Sequence, residues 1–268
     1  MSWKLISSIY FIQLVIGLFI GGQLYRLIDD KLGHTGAMKR FQEGWDYSGV
    51  QDFLFYFSRE LDDIKFQLFL LIVIYVISMA ILSGGIWSCI NKKRTSFGTF
   101  FLGVKKDGFK FLLISILSLV IMIIWSLILW LPFITKVMVW LEYWADERYV
   151  AFLGFGILIL WSLGLTVLFS WTYAVRACVI TQGANLISSM GIAIKTIGSK
   201  FWQVIPVVAF LSILSLFLLY LSPALDALIG MTSSGLIVLS IVIQQLVVWI
   251  KIVLRVGLIS SFLSIMRA

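Results

Sequence analysis

The sequence predicts an all-α fold: a polytopic membrane protein, a bundle of about six transmembrane helices with amphipathic interfacial helices. Three observations predict it. Of 268 residues, 61% are hydrophobic and 13% charged, whereas soluble domains carry about 45–50% apolar and about 25% charged residues. The apolar residues gather into six stretches, at 5–28, 66–90, 111–134, 150–175, 202–221 and 235–259, each long enough to cross a hydrocarbon layer about 30 Å thick. These stretches lack period-two alternation, so helices, which satisfy their own backbone hydrogen bonds in lipid, are expected instead of strands. On this reading residues 1–268 form a single transmembrane domain.

The first stretch follows Lys4. Its apolar run from Leu5 to Ile28 is too long for the apolar core of a signal peptide, and no small-residue cleavage site follows, so it is expected to stay as the first span. Gly17 and Gly21, followed by Gly22, form a G-x-x-x-G pattern that lets backbones approach. Packing inside one bundle is the first reading and a homodimer interface the second. The outer segment 29–65 holds eight acids, among them Asp29, Asp30, Asp62 and Asp63. Within it Val50, Phe53, Leu54, Phe57, Leu61 and Ile64 recur at helical spacing, which predicts an amphipathic helix on the outer surface. Trp45, Asp46 and Tyr47 read first as an interfacial anchor and second as outer-loop partner contacts.

In the second stretch Ala80 and Gly84 form a small-xxx-small pair, followed by Gly85. Gly154 and Gly156 lie early in the fourth. The connections set orientation. Segment 91–110 holds Lys92, Lys93, Arg94, Lys105, Lys106 and Lys110 against Asp107, and 176–200 holds Arg176, Lys195 and Lys200 with no acid. Segment 135–149 carries Glu142, Asp146 and Glu147 against Lys136 and Arg148. Lysine and arginine mark the cytoplasmic side, so both termini are expected there. Trp3, Trp87, Trp171, Trp202 and Trp249 fall near inner ends, and Trp130, Trp140 and Trp144 near outer ends, the depths that amphipathic rings prefer. Trp125 and Trp161 fit neither level and are expected within the bundle or facing lipid.

Residues 90–111 align with 180–201 without gaps: Ile90 matches Ile180, Lys105 Lys195, Gly108 Gly198, Lys110 Lys200 and Phe111 Phe201. Each copy joins an even-numbered span to the next odd-numbered one, which points to a parallel repeat of a helical hairpin.

Polar residues inside apolar stretches supply the candidate site. Gln13 lies in the first stretch, and Gln244 and Gln245 near the middle of the sixth. Gln244, Lys251 and Arg255 share roughly one helix face. Counted from Gly235, Lys251 lies ~24 Å along the helix, so snorkelling to the inner interface explains it and Arg255. Arg176 reads the same way. The glutamines read as interhelical hydrogen-bonding groups.

The same composition excludes much. Net charge is +8, but the basic residues sit between spans, where they set topology and attract anionic lipid. No nucleic-acid-binding pattern is present, so no nucleic acid partner is expected. Cys89 and Cys178 lie far apart with one histidine, His34, which leaves no zinc spacing and predicts free, buried thiols. No histidine-based nucleophile pair, metalloprotease helix, Walker A loop or dinucleotide fingerprint appears. No cofactor, no metal and no catalytic residue is therefore expected, and the chain is expected not to be an enzyme.

A resemblance adds to this. His34-Thr35-Gly36, Trp45-Asp46-Tyr47, Gln51-Asp52-Phe53, Gly84-Gly85-Ile86, Tyr173-Ala174 with Arg176, and Gln244-Gln245 resemble a set of bacterial six-span inner-membrane proteins without assigned activity. The layout is distantly similar to the membrane domain of some glycerophosphodiester phosphodiesterases, without their catalytic barrel. The resemblance implies a module of the bacterial cytoplasmic membrane and carries over no catalytic residue. The resulting expectation is a non-enzymatic module that binds lipid or partner proteins, as a scaffold or assembly subunit. The alternative is a transporter or permease-like subunit for a small molecule or lipid. Expected partners are the lipid bilayer and other membrane proteins or a second copy of the chain.

Overall fold

The computed structural model describes residues 3–32, 58–94, 96–137, 147–229 and 234–267. Among these residues every regular element is helical: α1 (Trp3–Leu32), α2 (Ser58–Lys92), α3 (Phe97–Pro132) with a π turn at Phe133–Val137, α4 (Glu147–Gln182), α5 (Leu186–Ser199), α6 (Phe201–Ile229) and α7 (Ser234–Arg267). Among the described residues five helical stretches are long and apolar enough to cross a membrane: Lys65–Lys92, Phe97–Thr135, Ala151–Gln182, Phe201–Leu221 and Val238–Arg267. The apolar stretch found in α1, Ile6–Phe19, is shorter. The outer amphipathic helix expected before the second span lies mostly outside the described residues, as do His34, Trp45, Asp46 and Tyr47.

The helices run further than the apolar stretches. The basic segment expected to link the second and third spans is itself mostly helix, because α3 begins at Phe97. Ser96, in extended conformation, caps it by accepting the Thr99 amide at 3.2 Å. The helix closes at Pro132, whose ring nitrogen cannot donate, and the chain opens into the π turn.

The chain divides into two compact units. One comprises Ser7–Met79. Its large apolar side chains, such as Phe11, Leu18, Phe66 and Phe69, are exposed along their helices. The other comprises Met1–Ile6 and Ala80–Ala268. Here α4 is the hub and packs against α3, α5, α6 and α7, while α6 also packs against α7. In the same unit Trp3 stacks on Trp249 at 4.9 Å.

Burial within this larger unit is uneven. A packed layer collects Ser83–Cys89 of α2, Phe111 and Ile114 of α3, Ala174, Val175 and Ala177–Val179 of α4, Ala193 of α5, Val204 and Val208 of α6 and Ile252, Val256, Leu258, Ile259, Phe262 and Leu263 of α7. Away from that layer, α3, α4, α6 and α7 leave Ile128, Leu160, Phe210 and Ile241 exposed, the surface that lipid tails cover in a membrane bundle. Trp87 was expected at headgroup depth but is 1% exposed. It meets Phe111 edge-on at 6.0 Å and Tyr173 at 5.8 Å, so packing against aromatic neighbours claims the whole indole.

Glycines set the close approach of α2 and α3. A Cβ on Gly84 would lie 2.9 Å from the Gly108 amide nitrogen, and one on Gly103 would lie 2.5 Å from Ser88 Cβ. Among the described residues Gly17, Gly21 and Gly156 meet nothing within 4 Å, and Gly154 meets only Phe133, at 3.7 Å. The small-residue signal marks close contact within the chain at Gly84 and Gly85. Trp125 and Trp161 pack between α3 and α4, the first of their two expected settings. Trp125 Nε1 donates to the Trp161 carbonyl at 3.3 Å, and Trp161 Nε1 donates to Ser126 Oγ at 2.9 Å.

The repeat extends to backbone geometry. α2 ends at Lys92 and α4 at Gln182. The next residues, Lys93 and Gly183, both take positive φ, 52° and 63°. Around Lys93, the Arg94 amide donates to the Cys89 carbonyl and the Lys93 amide to the Ile90 carbonyl, a Schellman cap. Around Gly183 a single bond to the Val179 carbonyl makes the simpler left-handed cap. Gly103 and Asp107 are buried in one elbow, Ala193 and Ile197 in the other, at the same offset of 90.

Candidate functional site

Two adjoining cavities open in the larger unit. The first, about 740 Å³, lies between α4, α6 and α7. α4 lines it from Trp161 to Tyr173, α6 from Val208 to Leu219, and α7 through Lys251, Leu254, Arg255 and Leu258. The second, about 300 Å³, lies between α3 and α4 and is bordered by Ser115, Ser118, Thr172 and Arg176. Phe169 and Tyr173 line both, so one ridge of α4 separates them. The larger volume falls within the range of about 300–1,000 Å³ typical of ligand sites.

The walls are apolar because the spans are. Three hydroxyls on the α4 and α6 walls are engaged on their own helices: Ser162 donates to the Ile159 carbonyl, Thr166 to Ser162 and Ser215 to Leu211, each at 2.8–2.9 Å. Such back-bonding satisfies a hydroxyl where water is absent. That leaves two charged groups on the wall of the larger cavity, Lys251 and Arg255. They stand four residues apart, on one face of α7, and both are half-buried.

Arg176 approaches from the other side of the ridge. Its Nη2 donates to Ser115 Oγ at 2.7 Å, and its guanidinium lies 5.5 Å from the centre of the Phe111 ring, an arrangement that stabilises a cation on an aromatic face. Ser115 can accept because its own proton goes to the Phe111 carbonyl. Nε of Arg176 is buried and has no hydrogen-bond partner among the described residues. Arg255 is a like charge in its surroundings. Beside it, Ser118 and Thr172 join α3 to α4 at 2.8 Å. Tyr173 meets Phe262 at 5.5 Å as well as Trp87, which ties the ridge to the packed layer.

No family model, curated protein or solved structure matches this chain. The site therefore rests on its geometry.

Of the residues singled out from sequence, the structure places Lys251 and Arg255 on the lining of the larger cavity and Arg176 on that of the smaller, with Tyr173 lining both. It does not bring Gln244 or Gln245 to the lining of either cavity. Gln244 and Gln245 are half-buried on α7, and Gln244 Nε2 lies 3.4 Å from Ser240 Oγ. Gln13 belongs to the unit Ser7–Met79 and is half-buried on α1. Sequence reasoning missed Ser115 and Phe169, and named Phe111 only for the repeat and Tyr173 only for the resemblance. Serines at 115 and 118 share a helix face within an apolar stretch, a signal that could have pointed to α3. Cys89 and Cys178 are free and buried, as expected. Among the described residues no group of metal-ligating side chains forms.

Proposed function

We propose that the chain is a non-enzymatic module of the bacterial cytoplasmic membrane, with six spans and both termini cytoplasmic, whose function is to bind lipid. The sixth span is α1, whose 30 residues extend ~45 Å at helical rise. One observation carries the reading: the cavity of about 740 Å³ between α4, α6 and α7, apolar along most of its length and set among helices whose outer faces suit lipid. The bland reading of Lys251 and Arg255 as snorkelling residues does not account for a cavity at their side.

The test is gentle purification from native membranes, followed by native mass spectrometry and lipid analysis of the same sample. The expected result is a lipid retained at fixed stoichiometry. A protein partner at fixed stoichiometry with no retained lipid would replace lipid binding by the scaffold reading.

A second reading is a transporter subunit that moves a small molecule or lipid. It draws on the two cavities meeting at a single ridge, Phe169 and Tyr173, since displacement of that ridge would join them into one path. Reconstitution into vesicles with a fluorescent lipid would show protein-dependent transfer on this reading, and none if the chain only binds.

A further inference from the structure

Lys251 and Arg255 line one cavity, and Arg176 borders the adjoining one. Neither cavity lining contains a carboxylate. After residue 65 the acids are Asp107, Glu142, Asp146, Glu147 and Asp226, and Asp107 sits in the field of Lys92, Lys106 and Lys110. Arg255 instead acts on Arg176 as a like charge. Repulsion between cations in an apolar setting is costly unless an anion or water offsets it. Arg176 also keeps a buried Nε donor unmatched, although arginine carries five donors that fit phosphate and carboxylate oxygens.

Position narrows the anion. The lining of α4 from Trp161 to Tyr173 covers ~18 Å along the helix, close to one leaflet of a hydrocarbon layer about 30 Å thick. At one end Tyr173, Val208 and Leu258 adjoin the packed layer, and Arg255 lies one turn from Leu258. Arg255 thus sits toward the packed end, Lys251 follows one turn further along α7, and the wall beyond them is apolar. A charged head with a long apolar tail matches that division. A free inorganic anion would leave the apolar length unexplained.

We propose that Lys251 and Arg255 hold the phosphate of an anionic glycerophospholipid whose acyl chain lies along the α4–α6–α7 cavity, with Arg176 adding positive field from behind Tyr173. The assignment rests on the lipid-binding reading and gives it a headgroup. Both cations compensate the phosphate charge, and the arginine fork adds directional bonds to its oxygens. The bound phosphate in turn relieves the repulsion between Arg255 and Arg176.

The test compares the full chain, purified in detergent and stripped of lipid, against dioleoyl phosphatidylglycerol, dioleoylglycerol and glycerol 3-phosphate, read by native mass spectrometry. Phosphatidylglycerol should bind at least roughly tenfold more tightly than dioleoylglycerol, which has the same chains and no phosphate. Lys251→Gln and Arg255→Gln should each remove roughly tenfold of that preference and leave dioleoylglycerol unchanged. Lys251→Arg should keep it, and Arg255→Lys should keep the part due to charge while losing the directional bonds of the fork, so a folding defect in the neutral variants leaves the test intact. Equal binding of the two lipids, or a preference that survives Lys251→Gln with Arg255→Gln, overturns the headgroup assignment alone. Binding of neither lipid overturns the lipid reading with it. Glycerol 3-phosphate binding as tightly as phosphatidylglycerol makes the ligand a soluble phosphate and overturns the lipid source.

Discussion

At Gly84 the difference between a hydrogen and a methyl group decides how α2 meets α3, because the nearest obstacle is the backbone of Gly108 and cannot rotate away. Gly84→Ala should cost ~1–3 kcal/mol, the usual penalty for forcing volume into a packed contact, seen as a lower unfolding temperature in detergent. Gly191 on α5 meets nothing within 4 Å. Gly191→Ala should therefore be neutral or raise stability by roughly 0.5–1 kcal/mol through backbone entropy alone. The same assay run on both separates a steric from a propensity effect. Both glycines are equally visible in the sequence. What distinguishes them is the neighbour, which residue type does not report. Arg176 makes a similar point: its position in an apolar stretch marked it, but its partners Ser115 and Phe111 sit 61 and 65 positions away and become partners only when α3 lies beside α4.

The elbows carry the repeat at the scale of an element. Lys93 and Gly183 occupy equivalent left-handed caps, one with a side chain and one without. A non-glycine residue pays roughly 1–2 kcal/mol for that conformation. Lys93→Gly should stabilise the fold by about 1 kcal/mol or slightly less, and Gly183→Ala should destabilise it by a similar amount, a crossed pair of shifts in thermal unfolding. Equal shifts of one sign would mean that the two caps are not equivalent. The sequence displayed this repeat as five matches, none at the cap position itself. The caps agree because helix ends are set by the orphan carbonyls of the last turn, a backbone demand that several side chains satisfy.

For the whole molecule, composition and orientation can be tested together. Cys89 and Cys178 are buried in the packed layer, and Cys178 Sγ lies 3.6 Å from Met266 Sδ. A maleimide added to the folded protein in detergent should label neither thiol, and both should react after denaturation. Reaction of either at the native rate would show that the layer opens. Lys105 and Lys195 are exposed, one on each elbow, at the repeat offset. Lys105→Cys and Lys195→Cys should be labelled from the same side of sealed vesicles, and that side should be cytoplasmic. Labelling from opposite sides would turn the parallel repeat into an inverted one.

The sequence by itself determined that the chain is helical and multi-pass, because an apolar chain without strand alternation has few other ways to satisfy its backbone in lipid. It also placed five of the spans near their observed positions, the long helices extending past them mainly where the elbows begin. Only the tertiary structure decided which polar residues belong together. Arg176, Lys251 and Arg255 lie on two helices separated by more than seventy positions, and their grouping depends on the packing of α4 against α7. Local pattern shows which face of a helix is polar. It does not show which other helix that face meets, because that is settled by the fit of side chains from distant parts of the chain.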